Sequence, residues 1–248
     1  MKNIKLTIEY DGTNYCGWQK QKNGVSIEET VENALIKVLK EDIKIIGAGR
    51  TDAGVHAKGQ VANFFTETGI PDDRIALAVN SLLPPDIVIL KSEGVPMDFH
   101  SRYKAIGKRY SYSIINRRMP SAIMKNFYAH VPYDLNFEDM KSCIDCFLGT
   151  HDFSAFKSTG GCAMTSIRTI NYVNLFKDED IIRFYIEGNG FLYNMVRIIA
   201  GTLIDVGRGK INPQAVPNII ESKDRKLAGI TAPAKGLCLE KVYYYFLT

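Results

Sequence analysis

The sequence predicts an α+β protein of two similar domains, each an antiparallel sheet covered by helices. Three observations carry that expectation. Short stretches alternate polar and apolar residues in the manner of half-buried strands, as in IKLTIEY at 4–10. Between them lie segments with apolar residues at helical spacing. The order of these elements in the first hundred or so residues then recurs, embellished and without sequence repetition, in the remainder. The expected domains are residues 1–103 and 104–248.

In the first half, the strand at 4–10 ends at the Asp11-Gly12 turn and leads into a loop with the only tryptophan, Trp18, beside Gln19, Lys20 and Gln21. Trp18 reads either as a core anchor for that loop or as a contact to an RNA backbone. Ser26 and Glu29 form a capping box, in which the serine oxygen accepts an amide and the glutamate reaches back. The helix after it places Ile27, Val31, Ala34, Leu35 and Val38 on one face. Strands follow at 43–46 and 61–65, then a helix at 71–83 stopped by Pro84-Pro85, and a strand at 87–90.

The second half is expected to run strand 109–115, helix 137–148, strands 170–176 and 181–187, helix 191–206, helix 213–221 and strand 237–245. The helix at 191–206 carries an apolar stripe of Leu192, Met195, Val196, Ile199, Ala200 and Leu203.

A length of 248 residues suits one or two domains, and 46% hydrophobic against 23% charged residues suits a globular core. Nothing approaches the run of about 18 apolar residues that a spanning helix requires. MKNIKLTIEY lacks the apolar stretch of a signal peptide, so a cytoplasmic location is expected. Thirty-one Lys and Arg against 27 Asp and Glu give a net charge of +4. Their placement says more than the sum. Arg102, Lys104, Lys108, Arg109, Arg117 and Arg118 interleave with Tyr103, Tyr110 and Tyr112, and Arg197, Arg208 and Lys210 form a second group. Cations mixed with aromatics suit a polyanion whose bases stack, although each cluster also reads as a solvated charged face.

Five cysteines, an odd number, argue against a disulfide framework in a cytosolic chain. Cys143 and Cys146, with His151 and Cys162 near, can be drawn as a zinc site. The surrounding FEDMKSCIDCFLG reads instead as an amphipathic helix in which cysteine is a small buried hydrophobe, and no second ligand pair completes the pattern.

The most unusual stretch is GAGRTDAGVH at 47–56. Gly49 to Gly54 has the spacing of a phosphate-binding P-loop, but Val55 and His56 stand where Lys and Ser or Thr are required. Gly47-Ala48-Gly49 begins a dinucleotide fingerprint, but Asp52 occupies its third glycine position and would repel a pyrophosphate. Two readings remain. The run is a long turn whose Asp52 bonds its own backbone, or a loop presenting a charged catalytic group.

Taken together, the motifs resemble the TruA family of tRNA pseudouridine synthases over nearly the whole length. They are YDGTNYCGWQKQ (10–21), GAGRTDAGVHAKGQVANF (47–64), FHSRYKAIGKRYSYSI (99–114), HDFSAF (151–156), GNGFLYNMVRIIAGTLIDVGRGK (188–210) and APAKGLCLEKVYY (232–244), in the family's order. The resemblance implies that Asp52 is the catalytic nucleophile toward the target uridine. It implies that Tyr110 packs against the target base and serves proton transfer, and that Arg197 pairs with the carboxylate. Arg50 and Arg102 fall among the RNA-facing basic residues. It further implies a homodimer without metal or organic cofactor, with a central basic cleft around which the two sheets join. The expected partner is tRNA, at uridines 38 to 40 of the anticodon stem-loop.

The residue types suit that chemistry. An ionised carboxylate can act as the covalent partner, and an arginine, always charged, offsets its desolvation and can bind it bidentately. His56 is placed on the substrate side as a hydrogen-bonding partner rather than a base. By spacing alone, Tyr110 also reads as core beside Tyr112 and Ile114, and Arg197 as a surface charge on its helix. FHSR has serine where the family often has alanine, and Cys238 lies in the closing strand. A non-catalytic, chaperone-like tRNA-binding module is the competing reading. A glycosidase is a third, but it usually needs a second carboxylate as general acid, and none adjoins the glycine run.

Overall fold

The computed structural model describes residues 1–22, 24–161 and 163–245. The chain divides into two compact units, residues 1–106 with 238–248 and residues 107–237. The boundary thus falls three residues beyond the expected one, and the closing strand, expected with the second half, belongs to the first unit. The cause is pairing: Cys238 and Leu239 lie beside His56 and Ala57.

In the first unit, β1 (Lys2–Tyr10) is flanked by β3 (His56–Thr66) and β4 (Ile87–Val95), both antiparallel. The other edge of β3 is shared. The short β2 (Ile46–Gly47) covers Ala62 and Asn63, and β10 (Leu237–Tyr244) runs parallel along its start. The sheet is therefore mixed rather than wholly antiparallel, because β2 covers so little of β3 that the strand's beginning is left for β10.

Helix α1 (Ile27–Leu39) lays Ile27, Val31, Ala34, Leu35 and Leu39 into the core, with Leu39 in place of the expected Val38. The Ser26 oxygen accepts the Glu29 amide at 3.2 Å, as a cap should, but the Glu29 carboxylate pairs with Lys20 at 3.1 Å. The helix expected at 71–83 is a 3-10 turn (Asp72–Arg74) followed by the short α2 (Ile75–Asn80).

In the second unit, β5 (Ala105–Asn116) pairs antiparallel with β9 (Ile181–Gly188), which pairs with β8 (Ile167–Asp178), and β8 with β7 (Gly149–Asp152). A three-residue strand, β6 (Ala129–Val131), runs parallel to the end of β5. Strands β6 and β7 are too short to show period-2 alternation in the sequence. The helix expected at 137–148 is α3 (Phe137–Ser142) and a 3-10 turn (Ile144–Phe147), with Met140, Cys143, Ile144 and Phe147 buried. The one at 213–221 is a 3-10 turn followed by α5 (Val216–Ser222).

Helix α4 (Met195–Gly207) is the centre of this unit. Every residue from Ile198 to Gly207 is buried, so the expected stripe is in fact a helix covered nearly all round. The segment after α5 lies directly against it. Ala232 donates its amide to the Arg197 carbonyl at 3.1 Å, and Gly229 donates to Thr202 Oγ1 at 2.9 Å. Between these bonds, a Cβ at Gly201 would overlap the Ile230 carbonyl. Substituting Gly201→Ala therefore forces the backbones apart, and a loss of about 1–3 kcal/mol is expected in urea denaturation; an unchanged midpoint contradicts this packing.

Candidate active site

The glycine run of the first unit is not a free hairpin. Its first limb is held on β3, with Ala48 N–H donating to the Val61 carbonyl at 2.8 Å and Gln60 Nε2 to the Gly49 carbonyl at 2.9 Å. The next residues are clamped from the other side. Trp18 N–H donates to the Thr51 carbonyl at 3.0 Å, Gly17 and Asp52 form an isolated antiparallel bridge, and the Tyr10 hydroxyl bonds the buried Thr51 hydroxyl at 2.7 Å.

The Trp18 indole, 2% exposed, lies across Gly47, where a Cβ would stand 2.5 Å from the indole nitrogen. Trp18 is thus the core anchor of its loop. The same loop caps α1: Gly17 and Trp18 carbonyls accept the Ile27 and Glu28 amides at 3.1 and 3.0 Å. Helix, loop and glycine run are one hydrogen-bonded assembly.

After Asp52 the chain turns sharply. Val55 N–H returns to the Asp52 carbonyl at 3.1 Å, across a turn whose third residue, Gly54, has φ +75°. That conformation is what a type II turn demands and glycine supplies at least cost. Asp52 therefore occupies the first position of a tight turn, half-buried, while Arg50 before it is exposed.

His56 is 4% exposed, and its Nδ1 accepts the Gly12 amide at 3.1 Å. The Asp11 carboxylate lies 3.1 Å from the same nitrogen. The geometry makes His56 a strut fixing the 11–14 turn to the end of the glycine run.

Arg102 is exposed on the turn before β5, with its guanidinium 5.8 Å from the Tyr103 ring centre. A buried polar network holds this turn. Ser101 donates amide and hydroxyl to Asn63 Oδ1 at 2.9 and 2.8 Å, Asn63 donates to Asn3 at 3.0 Å, and Asn3 donates to the Phe99 carbonyl at 2.9 Å. The Tyr244 hydroxyl closes it on the Ser101 carbonyl at 2.7 Å. The serine of FHSR thus has a structural use. Short polar residues inside strands, such as Asn3 and Asn63, were the available signal for this network.

Tyr110 and Arg197 belong to the second unit. Tyr110 is buried on β5 with its ring edge-on to Phe191, centroids 5.2 Å apart. Arg197, on the first turn of α4, is half-buried rather than a surface charge. Its Nε donates to the Ala232 carbonyl at 2.9 Å and its Nη1 to Asn194 Oδ1 at 2.8 Å. Its charge also reaches Tyr112, whose phenol burial pushes well above its ordinary range while donating to the Pro233 carbonyl at 2.8 Å.

Among the described residues, no group of three or more His, Cys, Asp or Glu side chains is placed to hold a metal ion. Burial pushes the Cys143 thiol up to about 12, and its Sγ donates to the Met140 carbonyl at 3.3 Å. A thiol so held is a core residue. Cys162 lies outside the described residues. No helix among the described residues is long and apolar enough to cross a membrane.

A mixed α/β scaffold that clamps a single aspartate on a glycine turn defines a carboxylate-bearing site, and comparison with known proteins places it. The family model for tRNA pseudouridine synthase matches residues 6–104 and 144–245. The tRNA pseudouridine synthase A of Acetivibrio thermocellus is 57% identical over 244 residues, spanning 98% of this chain and 100% of that protein. That of Clostridium acetobutylicum is 55% identical, and tRNA pseudouridine synthase A 2 of Clostridium perfringens 53%, with the same coverage. The chain belongs to the tRNA pseudouridine synthase family, a family of isomerases.

The turn itself can be tested without substrate. Alanine at position 54 must adopt φ +75°, which costs about 1–2 kcal/mol in an L-residue. Gly54→Ala should lower the unfolding free energy by that amount in urea, and equal stability contradicts the turn assignment.

Proposed function

We propose that this chain isomerises uridine to pseudouridine in tRNA, with Asp52 as the nucleophile toward the target nucleoside. The observation that carries the proposal is a family member's lone loop aspartate, placed by clamps on the residue before it and a glycine turn after it. The reaction breaks the C1′–N1 bond, turns the freed uracil and joins C1′ to C5, with a proton lost from C5 and one gained at N1. Nothing is oxidised or reduced, so the reaction requires no redox cofactor.

Asp52 must be ionised to attack, and Arg197 is assigned as the cation that keeps it so. Its guanidinium is already held by Ala232 and Asn194, which suits a group that must not reorganise during the reaction. The target base has to leave its stack, at a cost of a few kcal/mol. Tyr110 is assigned to receive it, recovering part of that cost by aromatic contact, on the order of 1–3 kcal/mol. Its hydroxyl is assigned to proton transfer.

Arg50 and Arg102, both exposed, are assigned to the tRNA backbone. His56 supports the loop from behind. The two sheets are proposed to join around a central basic cleft, in a cytoplasmic homodimer acting at uridines 38 to 40 of the anticodon stem-loop. The non-catalytic tRNA-binding module is the weaker reading, because a pure binder gains nothing from a carboxylate beside phosphates.

Two variants test the roles. Asp52→Ala should abolish pseudouridine formation while tRNA affinity in a filter-binding assay stays within a few-fold; substantial turnover removes the nucleophile assignment. Tyr110→Phe keeps the ring and loses the hydroxyl, so turnover should fall without loss of tRNA binding. Full activity in that variant would leave Tyr110 a stacking surface only.

A further inference from the structure

We propose that Asn194 is the positioning residue for Arg197, and that the backbone strain at Asn194 serves this purpose. The proposal rests on the reading of Arg197 as the partner of the nucleophile. Asn194 is the N-cap of α4, where asparagine ordinarily has extended backbone and its side-chain oxygen accepts an amide of the first turn. Neither holds here. The backbone is left-handed, φ 60° and ψ 7°, and the side chain caps nothing.

Its oxygen instead accepts from the Nη1 of Arg197, three residues on, at 2.8 Å. In an ordinary cap, that oxygen takes the backbone amide of the second or third helical residue. Here it takes the third residue's side chain. The side-chain Nδ2 of Asn194 donates to Ser158 Oγ at 3.0 Å, which fixes the orientation of the group and leaves the oxygen facing Arg197. Ser158 is itself held, its N–H donating to the Tyr193 carbonyl at 3.1 Å.

The left-handed conformation explains the choice of residue. Asparagine tolerates it better than most non-glycine residues, and glycine tolerates it freely but has no side chain. A residue that needed only the turn would be glycine. A residue that needed only the cap would be extended. Asparagine in this conformation, with its cap function given up, is explained by the bond to Arg197. With the Nε donating to Ala232, the guanidinium is fixed through two nitrogens.

The test is Asn194→Gly, which keeps the backbone conformation and removes the side chain. The loss of a side chain that caps nothing should leave the melting temperature within a few degrees. Pseudouridine formation should show a kcat about 10- to 100-fold lower with KM for tRNA nearly unchanged, the scale on which a misplaced catalytic group lowers rate. A wild-type kcat would overturn the proposal and make Asn194 a turn residue only. Arg197→Ala, measured beside it, separates the two ideas. If Arg197→Ala is inactive while Asn194→Gly is normal, the positioning role fails and the role of Arg197 stands. Should Arg197→Ala itself be active, the reading of Arg197 fails, and the positioning role with it.

Discussion

The clamp on Thr51 and Asp52 is the constraint on which the first unit depends. Holding a short polar loop in one conformation costs about 1–2 kcal/mol of backbone entropy per residue. Each neutral hydrogen bond returns about 0.5–1.5 kcal/mol net. The bonds from Trp18 and Tyr10 to Thr51, the bridge to Gly17 and the return of the Val55 amide to Asp52 each offset part of that cost. No single one suffices. Trp18 and His56 add burial at the two ends of the run, so the loop is ordered by the core rather than by its own sequence.

The same economy recurs in the second unit. Arg197 is half-buried on a helix that is otherwise packed all round, and a charge in that position must be satisfied. The Ala232 carbonyl and the Asn194 side chain meet that need, and the first does so only because Gly201 lets the 229–232 segment lie directly on the helix. Packing and electrostatics are here one arrangement: the close approach that makes α4 the core also brings a carbonyl to the arginine.

Much of the fold was legible in the sequence because long elements carry a period. Strands β1, β5 and β9 and helices α1 and α4 lie close to where alternation and spacing put them. The failures have physical reasons. Strands β2, β6 and β7 are four residues or shorter and are made by pairing rather than propensity. The start of α4 was placed at Phe191, four residues early, because the left-handed turn at Asn194 has no signature that a short asparagine in a helix-like stretch reveals. The parallel docking of β10 on β3 is a tertiary event that no local pattern announces.

The site was legible in part. The density of glycine with Arg50, Asp52 and His56 marks the loop, but periodicity alone leaves Tyr110 as core and Arg197 as a surface charge; the roles proposed for them rest on the run of motifs in family order. The supports were the hidden layer: the hydroxyls of Thr51 and Tyr10 and the Asn3–Asn63–Ser101 network are polar groups whose partners lie distant in sequence. The central claim is that this assembly performs uridine isomerisation on tRNA. It is tested most directly by incubating unmodified tRNA with the purified chain and mapping pseudouridine at single-nucleotide resolution. The account predicts new pseudouridine in the anticodon stem-loop, at positions 38 to 40; tRNA that is bound and released with no pseudouridine at any position would contradict it.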